Sequence, residues 1–137
     1  MKIHIHDEKE VCIDGCMSVT YNTLEKLNQV IDNSCEYILA NNLFDHLSIE
    51  NFNPVLDLLL TKMRLNGVLV VSGIDIKLLA KDIINDIAST EDISNIVYNL
   101  KSVNTLLNVL EELEKRKIKI VTTKISGNNY EIFCTRE

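Results

Sequence analysis

The stretch EYILANNLFDHLSIENFNPVLDLLLTKMRLNGVLVVSG, residues 36–73, has two short apolar runs on either side of a helix-like segment. The runs are Tyr37–Ala40 and Val68–Val71, and apolar residues recur between them with the spacing of a helix. This order predicts a βαβ unit with parallel strands that are buried on both faces. In such sheets ligands bind beyond the carboxyl ends of the strands, and Asn41 and Asn42 lie at one of those ends.

The flanking sequence continues the alternation of strands and helices. Periodicity and turn signals predict strands at residues 2–6 and 17–21, a short helix at 24–31, the βαβ unit, helices at 76–87 and 102–116, and a hairpin with strands at 118–125 and 130–135. We therefore expect an α/β fold with a mostly parallel twisted sheet, helices on both faces and a C-terminal antiparallel hairpin. The apolar residues of 76–87 are interpreted as core packed on the sheet, with a partner surface as the alternative.

Length and composition exclude several classes of protein. A chain of 137 residues predicts a single domain, residues 1–137. The net charge of −6 argues against nucleic acid as the partner, and no apolar run is long enough to span a membrane. The four cysteines are scattered, and the N-terminus lacks the apolar segment of a signal peptide. These features favour free thiols and a cytoplasmic location.

Two segments of the central unit resemble a known family. Residues 40–47, Ala-Asn-Asn-Leu-Phe-Asp-His-Leu, are similar to the A-S-H-V-L-E-H-F segment of small class I S-adenosylmethionine (SAM)-dependent methyltransferases of the type 11/12 kind. Residues 63–69 stand where that family has L-K-P-G-G-x-L, with one glycine and no proline. The resemblance implies a Rossmann-like fold, SAM as the cofactor and an acceptor that the sequence does not identify.

The N-terminus departs from the family motifs. The family's first strand ends in L-G-C-G, which falls on residues 5–8, and its later F-I-N-V-D falls on residues 16–20. The family's third strand is predicted to be missing, because the segment between Tyr21 and Cys35 has room for one helix only. The positions that the resemblance assigns to cofactor binding are His6, Asp7, Glu8, Thr20, Asn41 and Asn42.

Three of these positions carry side chains that oppose SAM. Glycine allows a backbone to approach a ligand closely, and His6 and Glu8 occupy the glycine positions. We expect their side chains to crowd the site and the Glu8 carboxylate to repel the carboxylate of SAM. Thr20 replaces the acidic residue that binds the ribose hydroxyls.

Other interpretations of the polar residues remain open. A nitrogen/oxygen metal site could be formed by His4, His6, Asp7 and His46. The pattern favours hydrogen-bonded or solvent-facing histidines, and hence no metal, because neither a helix-spaced histidine pair nor a cysteine cluster supports one. Asn41–Asn42 fits turn chemistry better than contact with a substrate amine or an adenine edge.

The sequence leaves three functional hypotheses. The first is a minimal SAM-dependent methyltransferase whose acceptor is a small molecule or a protein. The second is a non-catalytic subunit with the methyltransferase fold, which acts through self-association or a protein partner and covers the sheet edge left by the missing strand. The third is a small-molecule enzyme of another chemistry that uses His6, Asp7 and His46.

Overall fold

A computed structural model of residues 1–137 contains six β-strands and four α-helices. The strands are β1 (Lys2–His6), β2 (Met17–Thr20), β3 (Cys35–Ala40), β4 (Met63–Ile74), β5 (Lys119–Ser126) and β6 (Asn129–Thr135). The helices are α1 (Phe52–Lys62), α2 (Ile76–Ile84), α3 (Thr90–Asn99) and α4 (Leu106–Lys115), with 3-10 turns at Leu24–Gln29, Phe44–His46 and Ile49–Asn51.

The strands form one sheet in the order β2-β1-β3-β4-β6-β5. The first four strands are parallel, and β6 runs antiparallel to both β4 and β5. The α/β class, the mostly parallel sheet and the closing antiparallel pair are therefore confirmed. The segment between β2 and β3 forms a 3-10 helix and no strand, as the sequence predicts.

The hydrophobic core lies on one face of this sheet. Ile5, Ala40 and Val71 sit side by side on β1, β3 and β4, and all three are fully buried. Buried leucines and a valine of α1 and α4 pack on the same cluster. Because strand residues alternate between faces, Leu39 and Val70 lie on the other face, in register with His4.

The helices are distributed unevenly over the sheet. α1 packs against β4 and α4 against β5, both on the core face. On the other face, the loop of residues 7–16 folds over β1 and its Ile13 N–H meets the ring of His4. The connection between β1 and β2 contains turns and no helix, so no helix N-terminus points at the carboxyl end of β1.

Two local predictions are wrong. A glycine after a helical pattern predicts a left-handed stop, which would put the end of α1 at Gly67. The helix instead ends at Lys62, whose Nζ pairs with Asp32 at 2.6 Å, and Gly67 lies inside β4. The left-handed residue in that strand is Asn66, with φ 61°. The prediction that the apolar residues of 76–87 pack on the sheet is wrong for the C-terminal half of this segment: Leu79 is fully buried, but Ile84 is 77% exposed and Ile87 is 72% exposed.

No helix of the chain combines the length and the apolar character that crossing a membrane requires.

Asp75 caps the N-terminus of α2, since its carboxylate accepts hydrogen bonds from the N–H groups of Lys77 and Leu78. The other oxygen of Asp75 accepts from the Leu106 N–H at 3.0 Å, so one carboxylate holds the starts of α2 and α4 together.

Candidate functional site

The sequence-predicted positions meet at the carboxyl edge of the sheet. His6 pairs with Thr20 across β1 and β2, and the Asn41 N–H continues the β1–β3 ladder by donating to the Ile5 carbonyl at 3.1 Å. Asp7, Glu8 and Asn42 come directly after these residues in the chain. The fold therefore brings all six positions together, although their side chains point in different directions.

The sequence predicts that His6 crowds the end of its strand, but the structure shows its side chain pointing elsewhere. Its side chain is 3% exposed and lies on the face opposite the core, beside His4. Its Nδ1–H donates to the Asp7 carbonyl at 2.6 Å, and its Nε2 accepts from the Ser18 hydroxyl at 2.8 Å. Glu8 joins the loop after β1 to the turn after β2, because its Oε1 accepts a hydrogen bond from the Asn22 amide at 2.8 Å.

Tyr21 closes the space above β1. Its hydroxyl donates to the Asn41 carbonyl, and its ring stacks on His46 with ring centroids 4.2 Å apart and planes inclined by 15°. Because β1 lies between β2 and β3 in the sheet, a side chain that starts after β2 and bonds to the end of β3 must cross the end of β1. Burial raises the pKa of Tyr21, and the carboxylates of Glu10 and Asp7 raise it further, so the phenol stays a neutral donor.

Thr20 takes part in a local turn. Its N–H donates to Thr23 Oγ1 at 2.9 Å, and the two threonine hydroxyls are also 2.9 Å apart. Since a hydroxyl carries no charge and this one is already bonded, Thr20 does not supply the acceptor pair that an acidic residue would offer to two ribose hydroxyls.

The two asparagines have separate roles. The Asn41 side chain lies 3.0 Å from His4 Nε2, under the loop of residues 7–16. Asn42 adopts φ 49°, its N–H meets Ser72 Oγ at 3.3 Å, and its carbonyl accepts from His46 Nδ1–H at 2.8 Å. A cleft of about 370 Å³ opens beside Asn42 and His46 and reaches the end of α3.

Asp45, which lines that cleft, and Tyr130 place two buried polar groups close together. Asp45 Oδ2 accepts from the Ile74 N–H at 2.9 Å, whereas its Oδ1 and the Tyr130 hydroxyl have no partner. Burial raises the pKa of Asp45 to about 6 and also raises the pKa of Tyr130. Gly73 makes this approach possible, because a Cβ there would lie 2.8 Å from the Tyr130 hydroxyl and 3.1 Å from Asp45 Oδ1.

The six-stranded sheet is similar to solved methyltransferases. A SAM-dependent methyltransferase from Archaeoglobus fulgidus superposes with a TM-score of 0.68 at 12% identity, over 98% of this chain and 86% of that one. The fold is that of class I SAM-dependent methyltransferases.

Two longer structures agree with this assignment. A SAM-dependent methyltransferase from Thermotoga maritima, described as a possible histamine N-methyltransferase, gives a TM-score of 0.62 at 16% identity, over 90% of this chain and 65% of that one. Magnesium protoporphyrin IX methyltransferase from Synechocystis, solved with bound S-adenosylhomocysteine, gives 0.59 at 12% identity, over 89% of this chain and 52% of that one. No family model matches the sequence, and no curated protein matches it significantly.

The residues at the carboxyl edge do not fit SAM in the pose that the motif resemblance implies. Residues 5–8 contain no glycine and no positive φ, so the backbone at the end of β1 lacks the conformation and the clearance of a glycine loop. Tyr21 crosses the end of β1, and Asp7 and Glu8 place two carboxylates directly after that strand.

The three histidines do not form one group. His46 bonds to Asn42 and stacks on Tyr21, so it lies in the slot above the sheet. His4 and His6 lie together under the loop of residues 7–16, with Cys12 as their third neighbour. Sequence reasoning missed Tyr21 and Cys12. An aromatic residue directly after the ribose-binding position was the available signal for Tyr21, whereas the fold of a ten-residue loop over β1 gave none for Cys12.

Proposed function

We propose that this chain is a non-catalytic protein with the methyltransferase fold, which acts by associating with a second copy of itself. The observation that carries the proposal is the Tyr21 side chain, which crosses the end of β1 and bonds to the Asn41 carbonyl. Methyl transfer depends on how the protein positions the cofactor and the nucleophile. A side chain in the cofactor slot removes that contribution.

The surface that we assign to self-association is the exposed apolar side of α2 and its extension, defined by Ile83, Ile84 and Ile87. Contiguous apolar surface that stays exposed in a folded chain is typical of interaction sites. Lys77 and Lys81 lie in the first half of this segment, and Asp82 and Asp86 lie in its second half. In an antiparallel pair of these segments the lysine-bearing half of one copy lies along the aspartate-bearing end of the other, which favours a second copy as the partner.

Calorimetry with SAM and S-adenosylhomocysteine tests the closed slot. We expect no binding to the wild-type protein at millimolar ligand, since binding would require the Tyr21 ring to leave His46 and the Asn41 carbonyl. Tyr21→Ala empties the slot, and Tyr21→Phe serves as the matched control because it keeps the ring. Stoichiometric binding of either ligand to the wild-type protein would overturn the non-catalytic assignment.

Sedimentation equilibrium tests the self-association. We expect a dimer for the wild-type chain and a monomer for Ile84→Glu, because a carboxylate in the middle of the paired surface would be buried without a partner. Ile31→Glu is the control, since Ile31 is 75% exposed and lies in the segment before β3, at the amino end of the strands. A monomeric wild-type protein at high concentration would contradict this part of the proposal.

An active SAM-dependent methyltransferase is the second candidate. Similarity to SAM-dependent methyltransferases over 98% of the chain supports it. It requires Tyr21 to swing away when the cofactor enters, and it predicts tight binding of S-adenosylhomocysteine to the wild-type protein. The same calorimetric experiment therefore separates the two candidates.

A further inference from the structure

Two histidines and a cysteine converge on the face of β1 that lies opposite the core. His4 is 2% exposed and His6 is 3% exposed, and their ring centroids are 4.6 Å apart. The loop of residues 7–16 folds over them and brings in the half-buried Cys12. One ring nitrogen of each histidine and the Cys12 sulfur lie within 4.8 Å of one another.

The hydrogen bonds fix the tautomers of both rings. His6 donates from Nδ1 to the Asp7 carbonyl, so its Nε2 carries a lone pair that accepts from Ser18. His4 Nδ1 accepts from the Ile13 N–H at 3.2 Å, and its Nε2 lies 3.0 Å from the side-chain amide of Asn41. Each ring is thus held by one nitrogen while the other keeps a lone pair, as in metal-binding histidines.

The electrostatic surroundings favour a cation. The covering loop carries Asp7, Glu8, Glu10 and Asp14 against a single lysine, Lys9. Two buried imidazoles beneath an acidic loop form a site for a positive ion.

We propose that His4, His6 and Cys12 bind a Zn²⁺ ion. Imidazole nitrogen and thiolate sulfur are the ligands that Zn²⁺ prefers, and three protein ligands leave a fourth position for solvent or another ligand. Zn–N and Zn–S bonds of ordinary length separate the ligand atoms by about 3.3–3.6 Å, so the three atoms, which lie within 4.8 Å of one another, draw together by about 1 Å when the ion binds.

Binding of the ion changes the protonation of Cys12 and the hydrogen bonds of the two histidines. The Cys12 thiol loses its proton to solvent as the sulfur binds the ion, and the histidines give up their bonds to the Ile13 N–H and the Ser18 hydroxyl. The Asp7 carbonyl and the Asn41 side chain continue to orient the two rings. This site lies below the sheet edge and is independent of Tyr21 and of self-association.

Cobalt and zinc titrations of the reduced, untagged full chain test the site. We expect one Co²⁺ per chain with a thiolate-to-cobalt charge-transfer band in the near ultraviolet, and displacement of Co²⁺ by Zn²⁺. Cys12→Ser should lose the band and weaken Zn²⁺ binding at least tenfold. Cys16→Ser is the matched control and should keep both, because it removes the other half-buried thiol beside the same loop. His6→Gln should weaken binding but keep the sulfur band.

Three results would overturn the proposal. They are absence of Co²⁺ and Zn²⁺ binding to the wild-type chain at micromolar ion, an unchanged charge-transfer band in Cys12→Ser, and loss of the band in Cys16→Ser. Circular dichroism shows whether Cys12→Ser keeps the wild-type fold, which we expect because Cys12 lies outside the hydrophobic core. None of these results depends on whether the chain binds SAM or forms a dimer.

Discussion

Strands β3 and β4 differ from β1 and β2 in the segments that their carboxyl ends lead into. β3 leads into a 3-10 turn and α1, and β4 leads into α2 with Asp75 as its cap. β1 leads into a loop without a helix, and β2 leads into Tyr21, which crosses back over the sheet. The core, which holds the sheet together, packs on the opposite side from that loop. The contrast teaches that one sheet can carry helices after two of its parallel strands and a loop or a crossing side chain after the other two, while a single core holds all four.

The largest expected effect lies in the core half. Leu59 of α1 is fully buried, so Leu59→Ala removes burial and leaves a cavity, at a cost of about 3–4 kcal/mol in the free energy of unfolding. Urea denaturation followed by circular dichroism measures it. Leu65→Ala should change the free energy by less than about 0.5 kcal/mol, because Leu65 is 65% exposed. If Tyr21→Ala cost as much as Leu59→Ala, the proposed separation of core and edge would fail.

The next effect concerns Asp45, which lies in the 3-10 turn after β3 and bonds to the end of β4. Its pKa is raised to about 6, above its unfolded value of 3.8, so the folded state binds an extra proton between those values. Stability from this group is therefore highest below about pH 4 and falls as the pH rises to about 6. Asp45→Asn keeps an acceptor for the Ile74 N–H without the charge, and it should exceed the wild-type stability at pH 7 by about 2–3 kcal/mol.

Thermal melts of Asp45→Asn and the wild-type protein across pH 4–8 check this expectation. The extra stability of Asp45→Asn over the wild-type protein should disappear toward pH 4, where the wild-type carboxyl is protonated and therefore also uncharged. An advantage that is the same at every pH would show that the substitution acts through packing and that the carboxylate is not penalised by burial.

The smallest effect lies at the carboxyl ends of β1 and β2. Tyr21→Phe removes the hydrogen bond to the Asn41 carbonyl and keeps the stacking on His46, so we expect a loss of about 1 kcal/mol in the free energy of unfolding. Chemical denaturation at constant pH measures it. A loss above that of Leu59→Ala would place the edge, and not the core, at the centre of the fold's stability.

The sequence predicts the central part of the fold because its signals are local. Tyr37–Ala40 and Val68–Val71 are uninterrupted apolar runs, and both form buried parallel strands. The end of α1 was harder to predict, because Asn66 and not Gly67 adopts the left-handed conformation, and the helix stops earlier where Met63 turns extended. A glycine after a helical pattern shows where a turn is permitted, but not where pairing with β3 begins.

The candidate site was predictable in position but not in detail. The six family-matched residues do meet at the carboxyl edge, because parallel strands bring their ends to one place. The direction of each side chain depends on long-range partners, such as Ser18 for His6 and Asn41 for Tyr21, which no local pattern specifies. An amphipathic pattern likewise predicts an apolar face on α2 without telling whether the same chain covers it.

The antiparallel pairing of β4 with β6 also has a consequence for synthesis. The ladder joins Val68 to Thr135 and Ile74 to Asn129, so more than fifty residues of sequence separate each residue of β4 from its partner in β6. While the intervening chain leaves the ribosome, β4 presents a row of unpaired N–H and C=O groups. A nascent chain that stops before residue 129 therefore exposes the unpaired edge of β4, which can pair with other chains. We expect chaperone protection to matter most at this stage of synthesis.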